Sequence, residues 1–179
     1  PLGCYGDGGA VFTNQPSLAE KIRSLRVHGQ DGRYEHRYIG LGARMDTMQA
    51  AVLLAKLPHY GQEIGKRQEV AKRYTKLLQD MVKTPKVMED RTSVWAQYSI
   101  QVSNRDHLRR HLSQAGIPTA VHYPKPLHLQ DCFSYLGYSA GDFPVAEEVS
   151  SRIMSLPMNA FVSYQEQDYI CRRIYELIT

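Results

Sequence analysis

The chain has 179 residues, 42% hydrophobic and 22% charged, with a net charge of +4 and a pI near 9.0. That is enough chain for one ordinary domain, or a small domain with a piece of another. No apolar run approaches the roughly 20 residues of a membrane helix. Cys4, Cys132 and Cys171 are far apart, without a CxxC pair; this excludes a disulfide framework or zinc site and suits a cytoplasmic protein. Basic residues occur as isolated pairs, such as Arg109-Arg110 and Arg172-Arg173. They read as a solvated surface and not as a nucleic-acid stripe.

Gly6, Gly8 and Gly9 precede Ala10-Val11-Phe12-Thr13, a strand-like run. The glycines predict a strand tip pressed close to another backbone. Pro16 opens a helix whose Leu18, Ile22 and Leu25 form one apolar face. Val27 to Arg44 is polar, aperiodic and long for a connection, which favours a functional loop.

Met45, Met48, Val52 and Ala55 restart a helical pattern, which Pro58 interrupts. A second helix then carries Ile64, Ala71, Tyr74, Leu78 and Met81. Clean alternation predicts a strand over Val94–Val102. Asn104 starts a helix that stops at Gly116, and Thr119–Tyr123 reads as a second strand. Asp142 and Pro144 begin a further helix, followed by a short strand at Met154–Met158. Ser163-x-x-Glu166 is a capping box ahead of Ile170, Ile174 and Ile178.

Three stretches raise chemical questions. The first is Pro1-Leu2-Gly3-Cys4-Tyr5-Gly6-Asp7-Gly8-Gly9-Ala10; it has neither GK[ST] nor GxGxxG spacing. Alone it reads equally well as a tight strand junction. The second begins His28-Gly29-Gln30-Asp31 and continues through Gly40-Leu41-Gly42-Ala43-Arg44-Met45-Asp46-Thr47-Met48-Gln49-Ala50-Ala51. Asp46 there suits a helix N-terminus. Arg44 beside a helix start makes a good bidentate anion site. The third is Gly116-Ile117-Pro118-Thr119-Ala120-Val121-His122-Tyr123-Pro124-Lys125-Pro126-Leu127-His128. On a strand, His122 alone reads as a structural hydrogen-bonder as readily as a ligand contact. His107 and His111 are four apart, but no third metal ligand is near them in sequence, so a helix surface is expected.

Together these stretches, with Ala146 through Pro157 as a packing match, resemble the DegT/DnrJ/EryC1/StrS family of sugar aminotransferases. The resemblance implies an α/β, fold-type-I enzyme dependent on pyridoxal 5'-phosphate, here as its C-terminal half. Residues 1–44 are then the C-terminal part of the large cofactor-binding domain. Residues 45–89 are a helical connector, and 90–179 a small C-terminal α/β domain.

The resemblance implies further that the Schiff-base lysine sits immediately before Pro1, so no catalytic residue falls within the chain. Arg44, His122 and Tyr123 are expected to bind substrate, with no metal. The implied reaction moves an amino group, with glutamate as the expected donor, to a keto group of a nucleotide-linked sugar. The HGQD and RMDTMQAAVLLAKL stretches look nearest to enzymes acting on 3-keto UDP-sugars in bacterial surface-polysaccharide or lipopolysaccharide synthesis. A cytoplasmic homodimer with active sites at its interface is implied, without nucleic-acid or membrane partners.

One departure stands out. The family pattern has Asn, a contact to the cofactor phosphate, where this chain has Gly42; that role is not carried over. Two alternatives remain at this stage, a dehydratase of the same family or a non-catalytic fragment acting as an interaction module.

Overall fold

The structure, a computed structural model, describes residues Leu2–Ile178, so the expected junction with a lysine at Pro1 lies outside the described residues. The chain divides into two compact units, Leu2–Gly61 and a second from Gln62 onward.

In the first unit, α1 spans Pro16–Leu25 with Pro16 in its first turn, and α2 spans Thr47–Lys56 with Asp46 at the N-cap. Proline suits that place because the first turn leaves its N–H groups without helical partners. A 3-10 turn at Leu57–His59, where Pro58 sits, separates α2 from α3, Tyr60–Leu78. Neither α1 nor α2 buries a residue. The expected strand at Ala10–Thr13 does not form: this stretch has no ladder partner, and Phe12 is 92% exposed. Of the three glycines expected to press on another backbone, Gly9 has no atom within 4 Å of where a Cβ would stand, and Gly6 and Gly8 would meet only side chains, of Gln49 and of Met45 and Cys4.

The second unit holds the hydrophobic core. Its two-stranded antiparallel sheet pairs β1 (Tyr98–Gln101) with β2 (Ile153–Leu156), placing Tyr98 opposite Leu156, Ser99 opposite Ser155 and Ile100 opposite Met154. Side chains alternate across a strand. One sheet face therefore carries Tyr98, Ile100, Met154 and Leu156, all buried with Tyr74 and Leu78 of α3.

Leu108 and Leu112 of α4 (Arg105–Gln114) complete this core with Ile170 and Ile174 of α6 (Tyr164–Ile178). Gln167 of α6, fully buried, donates from Nε2 to the carbonyl of Val70 at 2.9 Å. Tyr74 donates to the Pro157 carbonyl at 3.1 Å, and Thr75 and Tyr98 share a hydroxyl hydrogen bond of 2.8 Å. The capping box forms as the sequence reads. The Glu166 N–H donates to Ser163 Oγ at 3.2 Å, while Glu166 Oε2 accepts from the Ser163 N–H at 2.7 Å.

Two strands are shorter than the alternation predicts. Over Val94–Val102 only Tyr98–Gln101 is strand. Trp95 has φ 49°, and its indole N–H donates to Gln68 Oε1 at 2.9 Å, while Gln68 also binds the Ser93 carbonyl. These side-chain bonds to α3 replace ladder bonds. Thr119–Tyr123 keeps a single bridge, Ala120 to Ser155. α5 spans Pro144–Arg152, with Phe143 at the N-cap and not Asp142.

Candidate substrate-facing site

In the first unit, the loop between α1 and α2 folds back onto the end of α1. Leu41 N–H donates to the Leu25 carbonyl at 2.8 Å, His28 N–H to Leu41 at 3.0 Å, and Ala43 N–H to Arg26 at 2.9 Å. Gly29 is required here. It has φ +73°, and a Cβ on it would fall 1.8 Å from the Tyr38 carbonyl oxygen.

This tethered loop delivers Arg44 two residues before the Asp46 N-cap. Arg44 is exposed and makes no hydrogen bond or ion pair among the described residues. The glycine-rich segment is tied to α2: the Tyr5 N–H donates to Gln49 Oε1 at 2.7 Å, and Lys56 Nζ donates to the Gly3 carbonyl at 2.6 Å.

His122 and Tyr123 belong to the second unit, at the open edge of β2. The backbones of Ala120 and Ser155 exchange hydrogen bonds of 3.2 and 2.8 Å. His122 lies two residues further on, the spacing that returns an extended chain's side chain to the same face. Its Nδ1 lies 3.0 Å from Ser155 Oγ, which in turn lies 2.9 Å from Ser99 Oγ. The rings of His122 and Tyr123 meet edge to face with centroids 5.5 Å apart. Tyr123 is 72% exposed.

A cleft of about 810 Å³ starts at Tyr123, with Phe133, Leu136, Tyr138 and Phe143 among its apolar walls. Glu147, in the first turn of α5, organises one wall. It accepts from the backbone N–H groups of Gly141 at 2.9 Å and Phe143 at 3.3 Å, and from His128 Nε2 at 3.0 Å. The Gly141 N–H foremost, then His128 and Phe143, holds its carboxyl below the usual range. At the rim Lys125 donates to Asp131 at 2.9 Å. That exposed pair adds little stability.

The structure thus brings His122 and Tyr123 into ring contact, with Tyr123 at the cleft, whereas Arg44 belongs to the other unit. The sequence reading missed Ser155 and Ser99, which lie behind His122, and Glu147. Ser155 sits in a stretch read as packing alone. Among the described residues no group of three or more His, Cys, Asp or Glu could hold a metal, and no helix is long and apolar enough to cross a membrane. His107 and His111 stack with centroids 4.2 Å apart on α4, as a helix-surface pair.

The model of the DegT/DnrJ/EryC1/StrS aminotransferase family matches residues 1–175. The chain belongs to this family. It is 44% identical, over 98% of its length, to a Geobacillus stearothermophilus protein named "Pleiotropic regulatory protein", of which it covers 48%. It is 43% identical to the UDP-2-acetamido-2-deoxy-3-oxo-D-glucuronate aminotransferase of Pseudomonas aeruginosa, covering 96% of this chain and 47% of that one. Among solved structures it matches a DegT DnrJ EryC1 StrS aminotransferase from Brucella abortus. There the TM-score is 0.90 at 45% identity, over 99% of this chain and 48% of that one. The chain thus spans about half the length of the relatives it matches, and it has the fold of their C-terminal half.

Proposed function

We propose that this chain is the substrate-facing half of a nucleotide-sugar aminotransferase. The reaction is transfer of an amino group from an amino acid, glutamate being the expected donor, to the keto carbon of a 3-keto UDP-sugar. The observation that carries the reading is the similarity, along nearly the whole chain, to the Pseudomonas aeruginosa 3-oxo-glucuronate enzyme. Free polar groups support it: His122 Nε2, the Tyr123 hydroxyl and the Arg44 guanidinium have no partner among the described residues.

The cofactor of this family is pyridoxal 5'-phosphate. The open surroundings of Gly3 and Gly9 fit a segment that follows a cofactor-bearing lysine, since such a segment must turn without side-chain obstruction. No residue of this chain is assigned to hold the cofactor itself; its anchor is expected before Pro1. When bound, the cofactor supplies the electron sink for amino-group transfer.

The chain's own contribution is recognition and orientation. Arg44, a planar fork of donors, suits a carboxylate or phosphate oxygen of donor or substrate. His122 and Tyr123 offer one ring nitrogen and one hydroxyl to sugar hydroxyl or carboxylate groups. Holding the keto carbon in a fixed orientation lowers the barrier without any proton passing through these residues.

In this reading 1–44 complete a large cofactor-binding domain, 45–89 are a connector and 90–179 a small domain. The enzyme is a cytoplasmic homodimer with Arg44 serving the partner subunit's active site, and its product feeds a surface polysaccharide such as lipopolysaccharide. The test is an assay of the full-length protein with glutamate and a 3-keto UDP-N-acetylglucuronate, following 2-oxoglutarate release and amino-sugar formation by mass. Release of 2-oxoglutarate without an aminated sugar, or loss of water from the sugar in its place, overturns the proposal.

A further inference from the structure

Ser155 is buried to 5% exposure on the face of the sheet away from the core, between Met154 and Leu156. A hydroxyl in that place needs hydrogen-bond partners, because burying it unpaired is costly. Its two side-chain partners are Ser99 Oγ at 2.9 Å and His122 Nδ1 at 3.0 Å. Three elements thus converge on one oxygen. Ser99 stands directly opposite Ser155 in the β1–β2 register, and Ala120, two residues before His122, is bridged to Ser155 on its other side.

A serine hydroxyl has one proton to give and lone pairs to accept with. Two arrangements satisfy the row: Ser99 to Ser155 to His122 Nδ1, or the reverse. In either, Nδ1 is committed and Nε2 is the one ring nitrogen left for a ligand. Since Nε2 has no partner among the described residues, the imidazole is anchored at one end and free at the other.

We propose that Ser155, backed by Ser99, is a positioning residue that locks the His122 ring so that Nε2 is presented to the sugar substrate. The proposal rests on the reading of His122 as a substrate contact. It explains why a buried position of β2, flanked by Met and Leu, carries a hydroxyl where an apolar side chain would pack as well. Ser155 touches no substrate; it acts through the ring. Fixing the ring before substrate arrives removes an ordering cost from binding.

The experiment compares Ser155→Ala, Ser155→Thr and His122→Ala in the full-length holoenzyme. It measures KM for each substrate, kcat, and the ring nitrogen resonances of ¹⁵N-histidine-labelled protein, with His122 assigned by its loss in His122→Ala. Ser155→Ala is expected to shift the His122 ring resonances, that of Nδ1 most, because Nδ1 loses its hydrogen-bond partner. It is expected to raise the nucleotide-sugar KM roughly two- to tenfold, the worth of one net hydrogen bond. KM for the amino donor and kcat stay within about twofold on the same reasoning, as nothing that touches the reacting atoms has changed. Ser155→Thr, which keeps the hydroxyl, is expected to restore both resonances and KM.

If His122→Ala raises the sugar KM while Ser155→Ala moves neither resonances nor KM, the positioning role is overturned and the substrate contact survives. If Ser155→Ala shifts the resonances alone, Ser155 holds the ring without serving binding, which also overturns the proposal. If His122→Ala leaves the sugar KM unchanged, it is the substrate reading of the site that falls.

Discussion

A Cβ built on Gly42 would stand 3.0 Å from Cε1 and 3.5 Å from Nε2 of the His28 imidazole. The exposed ring thus borders the place where a Cβ at position 42 would stand. Val27 and Gly42 are bridged at that point, and His28 has φ +61°, so the two backbones are fixed close together. Gly42→Asn is expected to turn the exposed His28 ring aside and to destabilise the protein by about 0.5 kcal/mol, the scale of a surface substitution. Combining it with His28→Gly, which removes the ring and suits the left-handed backbone, is expected to recover at least about half of that loss. Thermal unfolding of the four proteins of this double-mutant cycle decides it; additive effects would show that the ring does not meet the side chain at residue 42.

Arg44 makes no hydrogen bond or ion pair among the described residues, so its removal takes nothing from the fold of its own unit. Arg44→Ala is expected to leave the thermal midpoint unchanged. In the full-length enzyme it should raise the KM of one anionic substrate by about ten- to a hundredfold, since a hydrogen bond to a charged group contributes roughly 1.5–3 kcal/mol. Arg44→Lys is expected to recover part of this, because charge is kept while the fork is lost. Unchanged kinetics in Arg44→Ala removes it from the site.

Ionisable groups of the core set an alkaline limit to stability. Burial pushes the Cys171 thiol from an ordinary 9.0 up to about 12, with Arg73 opposing, and the Tyr98 hydroxyl from 10.0 up to about 12, opposed by its bond to Thr75. Burial raises Tyr74 further still. These groups keep their protons in the folded state at pH values where the unfolded chain has lost them. The unfolded state therefore binds fewer protons, and stability falls as pH rises. The fall is expected to start near pH 9 and to continue toward pH 12. Denaturant titrations at successive pH values test this. In the same window Cys171 is expected to resist alkylation while the exposed Cys132 reacts. Equal labelling of the two thiols in native protein would contradict the burial on which the argument stands.

What the sequence made legible was local. Pro16, Pro58 and the Ser163–Glu166 box mark helix ends through chemistry confined to a few residues, and each element ends where they place it. The strand at Val94–Val102 was overdrawn because alternation cannot register Gln68, 27 residues from Trp95, holding that indole N–H. Thr119–Tyr123 was overdrawn for a related reason, since only Ala120 finds a partner strand. His122 and Tyr123 could be picked out from their motif. Ser155 could not, because it lies 33 residues from His122 in sequence and their meeting depends on the register of the Ala120–Ser155 bridge. A serine between Met154 and Leu156 was the one available signal.

The distribution of buried residues separates the two units by stability. Among the described residues the buried core cluster lies between Val70 and Ile174, contributed by α3, α4, α6 and the sheet, with Val102 and Ile117 from the segments beside them. In the first unit, α1 and α2 bury nothing, while Phe12, Ile39, Leu41 and Leu54 stand exposed, Ile39 fully. Isolated helices of this length are marginal in water without a packed face. Amides with few buried contacts nearby exchange through local opening, whereas those of a packed sheet require near-global unfolding. In the 179-residue chain, amides of α1 and α2 are therefore expected to exchange at least about 100-fold faster than those of β1, β2 and α6. Hydrogen exchange read by mass spectrometry on peptides from 16–56 and from 98–101, 153–156 and 164–178 makes the comparison. In the full-length protein the same 16–56 peptides are expected to slow, because the exposed apolar side chains of that unit would then have a surface to pack on. Protection in 16–56 equal to that of α6 in the 179-residue chain would mean that the first unit is stable by itself, and that its exposed apolar residues need no covering partner.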